Sequence, residues 1–486
     1  MAIEELVRSP LVSRPVAVPA PTTDAAPALS PIALATVLCG VFLAIVDFFI
    51  VNVALPTMAT DLHASTAVLE LVVSGYATAY AVLLVVGGRL GDARGRRRLF
   101  LTGIVAFTLA SLLCGIAPTA ATLVGARIVQ GAAAAMLVPQ TLSTIQATGN
   151  MAARARALGW FGAAGGIAAV VGQVLGGVLV SANIAGSGWR PIFLVNVPIG
   201  IVGWVLARRH VPETRSPVAA RPDLPGTALL GATVVAVLVP LTEGRALGWP
   251  LWSQFLLGSA PVWALGFVAV ERHLERIGQV PLVPPSVLRH RSMRLGLLLA
   301  APFFAGFGTF MFVYALLTQD HLHYSPVKAG LGLAPLAVTF LIASLLMPRL
   351  VARFGRNVIT AGAVLQFVGL GLLAVSWESS WPSVHPADMA VALLITGFGA
   401  GLVMPSLIRV VLSEVPVAEA GVGSGVLTTT QQVSLAIGVA TLGTLFVSLA
   451  SAGSLGVLHA AVFILALQAL VAVGIAVGSR RLGRAG

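Results

Sequence analysis

Fourteen stretches of this chain are apolar over the length that a lipid bilayer demands, and no other feature constrains the fold as tightly. They fall at 32–56, 67–88, 99–118, 121–142, 158–181, 191–207, 226–242, 254–270, 295–318, 327–348, 357–376, 388–411, 423–448 and 457–478. A crossing takes about 20 predominantly apolar residues in a helix. Backbone in hydrocarbon has to satisfy its own hydrogen bonds, so each run is expected to be helical, and the chain an all-α polytopic membrane protein. Composition agrees. The chain is 57% hydrophobic and 9% charged, with a mean hydropathy of +0.97, whereas a soluble domain carries about 25% charged residues.

The first 31 residues read differently. Glu4, Glu5, Arg8 and Arg14 are mixed there with Pro10, Pro15, Pro19, Pro21 and Pro27, unlike the basic stub and short apolar core of a cleavable signal. Residues 1–31 are expected to form a disordered cytoplasmic tail. The net charge of +12 would suggest nucleic acid if it were spread over a soluble surface, but it lies between apolar runs. Alternate loops collect Arg94, Arg96, Arg97 and Arg98, then Arg154 and Arg156, then Arg208, Arg209, Arg215 and Arg221. The series continues with Arg272, Arg276, Arg289, Arg291 and Arg294, then Arg353 and Arg356, then Arg480, Arg481 and Arg484. The opposite loops hold little beyond Arg190, Arg245 and Lys328. This asymmetry predicts both termini in the cytoplasm and no nucleic-acid partner. The two cysteines, Cys39 and Cys114, fall inside apolar runs as packing residues. No metal site is expected from them or from His63, His321, His323 and His385, and no Walker-type phosphate loop is present.

An internal repeat is legible. Gly131 and Pro139 recur as Gly397 and Pro405, 266 positions later, and the same offset carries Gly159 to Gly425, Gly172 to Gly438 and Gly177 to Gly443. Duplicated halves are a common way to build a central transport site. The organisation expected is an N-terminal six-helix half at 32–207, a linker with two extra transmembrane helices at 208–294, a C-terminal six-helix half at 295–478 and a short cytoplasmic tail at 479–486.

The run Gly88-Arg-Leu-Gly-Asp92-Ala-Arg-Gly95-Arg-Arg-Arg98 resembles the loop signature of the major facilitator superfamily. Ala44-Ile-Val-Asp47-Phe-Phe-Ile-Val-Asn52-Val-Ala-Leu-Pro56, Arg127-Ile-Val-Gln130-Gly131 and Trp189-Arg190-Pro-Ile-Phe193-Leu-Val-Asn196-Val-Pro198 resemble its fourteen-helix drug:proton antiporter branch, the EmrB/QacA-like exporters. The resemblance implies two pseudo-symmetric six-helix halves with two extra central helices. Ala93 stands where the family loop has arginine, and Ala352 where the second loop would have aspartate. Gln173 replaces the proline of a span-five antiporter motif otherwise similar to Gly159, Gly172, Gly176 and Gly177. These glycines let helices approach closely; their antiporter role rests on the resemblance. Asp92 and Gly95, with Arg96, Arg353 and Arg356, are expected to form a conformational latch whose ion pairs differ between two states.

Asp47 is the carboxylate placed deepest in a span: about nine residues, roughly 14 Å, from the outer end of the first. Arg127 lies about six residues, roughly 9 Å, inside the outer end of the fourth. Such residues are functional candidates by default. Burial and an arginine neighbour act on a carboxylate in opposite senses, so opening the contact would switch its protonation; the bland alternative is a permanent structural ion pair. The repeat puts Leu393 where Arg127 would recur. For a substrate cavity the candidates are the aromatic stripe Phe303, Phe307, Phe310 and Tyr314, with Asn52, Gln431 and Gln432 as hydrogen-bonding groups; the stripe serves equally as bundle packing. The function implied is export of a lipophilic, including cationic, small molecule in exchange for protons, by a monomer in the bacterial inner membrane among lipids, with the proton gradient in place of any cofactor. Two rivals are a symporter or uniporter of a polar nutrient and a non-transporting receptor or scaffold.

Overall fold

A computed structural model describes residues 28–148, 150–215, 223–244, 247–279, 281–355, 357–416, 419–450 and 453–481. Among these, fourteen helices are long and apolar enough to cross a membrane. They are α1 Pro31–Leu55, α2 Leu71–Arg94, α3 Arg96–Gly115, α4 Ala120–Ala147, α5 Ala152–Ala182, α6 Pro191–His210, α7 Leu224–Leu241, α8 Leu251–Arg276, α9 Arg291–His321, α10 Ala334–Phe354, α11 Asn357–Ser380, α12 Pro386–Val411, α13 Ala420–Ala450 and α14 Leu455–Ser479. The expected tail at 1–31 lies outside the described residues except for its last four.

Local chemistry sets the ends. Ser30 accepts from the Ala33 N–H at 3.2 Å with Pro31 opening the helix, Asn150 accepts from Ala153 and Asp223 from Gly226, each satisfying an orphan donor of a first turn. Helices α2 and α3 are separated by Gly95 alone, at φ +110°, a conformation that side chains resist. A Cβ there would also lie 2.6 Å from the Glu213 carboxylate.

Several boundaries differ from expectation by a turn or more, and two of these have a clear local cause. The second span runs to Arg94 rather than 88, because Arg89 and Asp92 are held by partners and the helix outlasts its apolar run. The tenth begins at Ala334 rather than 327. A separate short helix, Pro326–Gly332, precedes it, and Pro335 supplies no N–H to continue one helix into the next.

The repeat has a packing meaning. A Cβ on Gly131 of α4 would lie 2.3 Å from the Tyr76 carbonyl of α2, and one on Gly397 of α12 would lie 2.2 Å from the Leu336 carbonyl of α10. Gly159 of α5 approaches the Ser344 carbonyl of α10, while Gly425 of α13 approaches Val85 of α2. Each half therefore lends one helix to the other across the seam, in pseudo-symmetric fashion. The extra pair, α7 and α8, covers that seam: Val234 and Leu238 pack with Ala81 and Val82 of α2 and with Val433 and Ala436 of α13.

Closure is uneven along the bundle. At the arginine-rich end one apolar core joins Leu38, Leu142, Ile145 and Phe161 of the first half to Ile408, Val411, Leu412 and Leu427 of the second. Toward the other end the cores separate. One belongs to the first half, around Val46, Ile50 and Phe193, and one to the second, around Phe310, Tyr314 and Trp377, with Val170 and Val174 of α5 reaching into it.

Candidate functional site: a buried ion pair inside the first half

Asp47 and Arg127 meet. Both are fully buried, and the arginine Nη1 donates directly to the Asp47 carboxylate. Asp47 Oδ1 accepts two further bonds, from Gln130 Nε2 at 2.8 Å and from Asn196 Nδ2 at 2.9 Å. Ser111 Oγ accepts from the same two amides, at 2.7 Å and 3.4 Å. Four helices thus converge on one carboxylate: α1 brings Asp47, α3 Ser111, α4 Arg127 and Gln130, and α6 Asn196.

The guanidinium is held as firmly. Its Nε donates to the Val72 carbonyl at 3.0 Å and its Nη1 to Gln130 Oε1 at 2.7 Å. It lies 4.3 Å from the Tyr76 ring centre and 5.6 Å from that of Phe193, a cation–π arrangement that strengthens without water. The Tyr76 hydroxyl donates to the Ala44 carbonyl at 2.9 Å, fixing the ring beneath the arginine. Arg127 Nη2 is buried with no hydrogen-bond partner among the described residues. A buried ion pair costs desolvation at both charges, so it persists only where extra hydrogen bonds are supplied, as here. Chemically, the cluster can hold Asp47 ionised while Arg127 is in place, and it can take up a proton if the two separate.

At the arginine-rich end Asp92 pairs with Arg96, one turn on and at the start of α3, through Nη2 at 2.7 Å and Nε at 3.1 Å, both residues buried. Asp92 also sits against the first turn of α13, where a Cβ on Gly421 would lie 2.3 Å from its Oδ2, so an acid of the first half faces the positive end of a helix of the second. Arg353 is not brought to this cluster; it is exposed and lies 5.4 Å from the Phe354 ring. Arg356 is outside the described residues.

The α5 glycines form two close-packed faces, one toward α1 and one toward the second half. Gly172 and Gly176 lie against the Val46 and Ile50 carbonyls of α1, Gly159 against Ser344, and Gly177 against Val327; Gln173 is half-buried beside Gly330. The aromatic stripe divides. Phe303 is in a core with Phe304 and Phe340, Phe310 and Tyr314 are in another, and the Tyr314 hydroxyl donates to the Ala329 carbonyl at 3.1 Å. Phe307 is half-buried. Asn52 is exposed, Gln432 half-buried and Gln431 buried.

Sequence reasoning left Gln130, Asn196 and Ser111 out of the site. Gln130 follows Arg127 by three residues and so shares its helix face, which was a usable signal. Asn196 lay within a run already singled out. Ser111 had no signal of its own.

The family model of the Major Facilitator Superfamily matches residues 37–439. The chain is 37% identical over 418 residues to a probable actinorhodin transporter of Streptomyces coelicolor, covering 86% of this chain and 72% of that protein. It is 35% identical over 417 residues to the puromycin resistance protein pur8 of Streptomyces alboniger, covering 85% and 80%. The crystal structure of the human organic anion transporter MFSD10 (TETRAN) shares the fold, with a TM-score of 0.65 at 16% identity over 91% of this chain and 99% of that one. With fourteen spans, pseudo-symmetric halves and this family match, the chain belongs to the Major Facilitator Superfamily of membrane transporters and fits its fourteen-helix branch.

Proposed function

We propose that this chain is a proton-driven exporter of lipophilic small molecules, antibiotics among them, working by alternating access in the bacterial inner membrane with its arginine-rich end in the cytoplasm. The observation that carries the reading is the enclosed Asp47–Arg127 pair, held by four helices of one half. Relatives named for actinorhodin transport and puromycin resistance support the substrate class.

In the state described, the halves are sealed at the basic end and Asp47 is balanced by Arg127. A proton arriving from outside neutralises the carboxylate and removes the attraction that holds α1 to α4. Because α1 packs on α5 through Gly172 and Gly176, and α5 packs on α10 through Gly159 and Gly166, a shift of α1 is passed to the second half through close helix contacts. The Asp92 contact with the start of α13 is the restraint that such a shift has to release. A susceptibility panel in a pump-deficient host identifies an exported compound, and proton flux in proteoliposomes with that compound tests the exchange. Export without counter-moving protons would refute it.

A further inference from the structure

Beyond the central pair, the extra helices carry an arrangement of their own at the arginine-rich end. Pro281–Val283, the segment leading from α8 toward α9, is strapped down by three side chains from three helices. Arg89 of α2 donates through Nε to the Leu282 carbonyl at 2.8 Å and through Nη2 to the Pro281 carbonyl. Asp223, which caps α7, accepts from the Leu282 N–H at 3.3 Å. Glu271 of α8 accepts from the Val283 N–H at 2.8 Å through Oε2. Leu282 and Val283 are buried with Val85 of α2 and Val422 of α13, beside the point where Gly88 of one half meets Gly421 of the other. The strap therefore sits in the seam that closes the basic end.

The other oxygen of Glu271 has no hydrogen-bond partner among the described residues. Glu271 is 2% exposed, and its Oε1 is buried without a hydrogen bond. It converges with Asp223 on one glycine: a Cβ on Gly226 would lie 2.4 Å from Glu271 Oε1 and 2.1 Å from Asp223 Oδ2. Ionised carboxylates only accept hydrogen bonds, and two of them facing each other repel. One proton turns that opposition into a hydrogen bond. The charged group acting on Glu271 besides Asp223 is Arg89 of α2, and Arg89 in turn faces Asp92 of α2 and Glu419 ahead of α13. Asp92 is already paired with Arg96, Arg89 donates through Nε and Nη2 to the strap carbonyls, and no cation among the described residues donates to Glu271 Oε1.

We propose that Asp223 and Glu271 hold one proton between them, making the added helix pair a second proton-binding site, and that its occupancy decides whether the strap stays clamped in the seam. With the proton bound, both acids hold their strap N–H groups and the seam is filled. Without it, repulsion separates the two acids, frees Leu282 and Val283, and loosens the basic-end closure. The site is separate from Asp47 and does not rest on the export reading.

The test is the infrared band of protonated carboxyl groups, recorded at neutral pH on the full chain in lipid nanodiscs. The Asp47→Asn substitution is present throughout, so that the central acid contributes nothing. The expected result is a band that Glu271→Gln removes and that Asp223→Asn also removes, because in either variant an amide N–H takes the proton's place. Should one variant fail to fold, the other gives the same reading. A spectrum unchanged by the folded variants, or no band before substitution, overturns the site; a bound metal cation in place of the proton would give the second result. The strap is read by thiol labelling of Leu282→Cys in a chain carrying Cys39→Ser and Cys114→Ala. Labelling should rise several-fold more with pH than in the same chain with Glu271→Gln, and equal pH responses would overturn the clamp. Gradient-driven export surviving Asp47→Asn would remove Asp47 from the coupling role given to it above and leave this band as it is.

Discussion

In the first half, Gly131 of α4 lets the helix close onto the Tyr76 carbonyl; in the second, Gly397 of α12 does the same against Leu336. The backbone frames match, yet the side chains they enclose do not. The 266-residue offset takes Asp47 to Val313, Ser111 to Trp377, Arg127 to Leu393, Gln130 to Thr396 and Asn196 to Val462. Val313, Trp377 and Leu393 are buried in one apolar core, Val462 packs on it, and the Thr396 hydroxyl turns back to the Ala392 carbonyl. The second half shows that the frame needs no ion pair to pack. The pair in the first half is therefore best explained by what it does rather than by what it stabilises, since well-packed apolar residues commonly match or exceed a buried pair in stability.

The largest effect should come from converting one interior partly into the other. Arg127→Leu leaves Asp47 buried and unpaired, a loss of about 3–5 kcal/mol, visible as a lowered unfolding midpoint in detergent and as lost export. Asp47→Val with Arg127→Leu copies the second half at both positions and should recover at least half of that stability while export stays absent. Recovery of export by the double variant would show the pair to be merely structural.

Next come the glycines that the halves share. Gly131→Ala and Gly397→Ala each drive a methyl into a backbone carbonyl, so each should cost roughly 1–3 kcal/mol, with the two values close to one another in thermal unfolding. A large difference would break the equivalence of the two frames. Ser111→Ala removes only the hydroxyl that accepts from Gln130 and Asn196, and should cost about 1 kcal/mol with export reduced rather than lost.

The smallest effect lies at the end away from the arginines. Asp61 accepts from Arg190 Nη1 at 2.7 Å and from Trp189 Nε1 at 2.9 Å, and the Arg190 hydrogen bond, followed by that of Trp189, holds its carboxyl below the usual range. A lowered carboxyl contributes stability above its unfolded value and loses it as pH falls through its folded value. Asp61→Asn should thus cost less than about 1 kcal/mol at neutral pH, as for other exposed pairs. The difference from the parent chain should vanish in acid, which midpoints measured across pH will show.

Much of this was legible from the residues. Hydropathy marks all fourteen helices, because a bilayer forces span length into composition. Arginine counts separate the two ends, and glycine spacing exposes the duplication. Helix ends were less legible where polar partners carry a helix past its apolar run, as Arg89 and Asp92 do in α2. The convergence of Ser111 and Asn196 on Asp47 depends on how α3 and α6 rotate against α1, and no local pattern encodes that rotation. The aromatic stripe shows the same limit. Its spacing puts Phe303, Phe307, Phe310 and Tyr314 on one side of α9, but three of the four turn out to be enclosed in cores. The Asp92 latch was readable as a charged loop, whereas its contact with the start of α13 joins residues more than three hundred positions apart.

The most direct test of the proposed role of Asp47 is export by Asp47→Asn with and without a proton gradient, using a compound that the susceptibility panel shows the parent chain to export. Asparagine keeps the size of the side chain and an acceptor oxygen for Gln130 and Asn196, but it does not titrate. The result expected is that the variant folds and binds the compound, yet loses gradient-driven export entirely. Export by Asp47→Asn that still collapses when the gradient is dissipated would contradict the assignment and move proton coupling to another carboxylate.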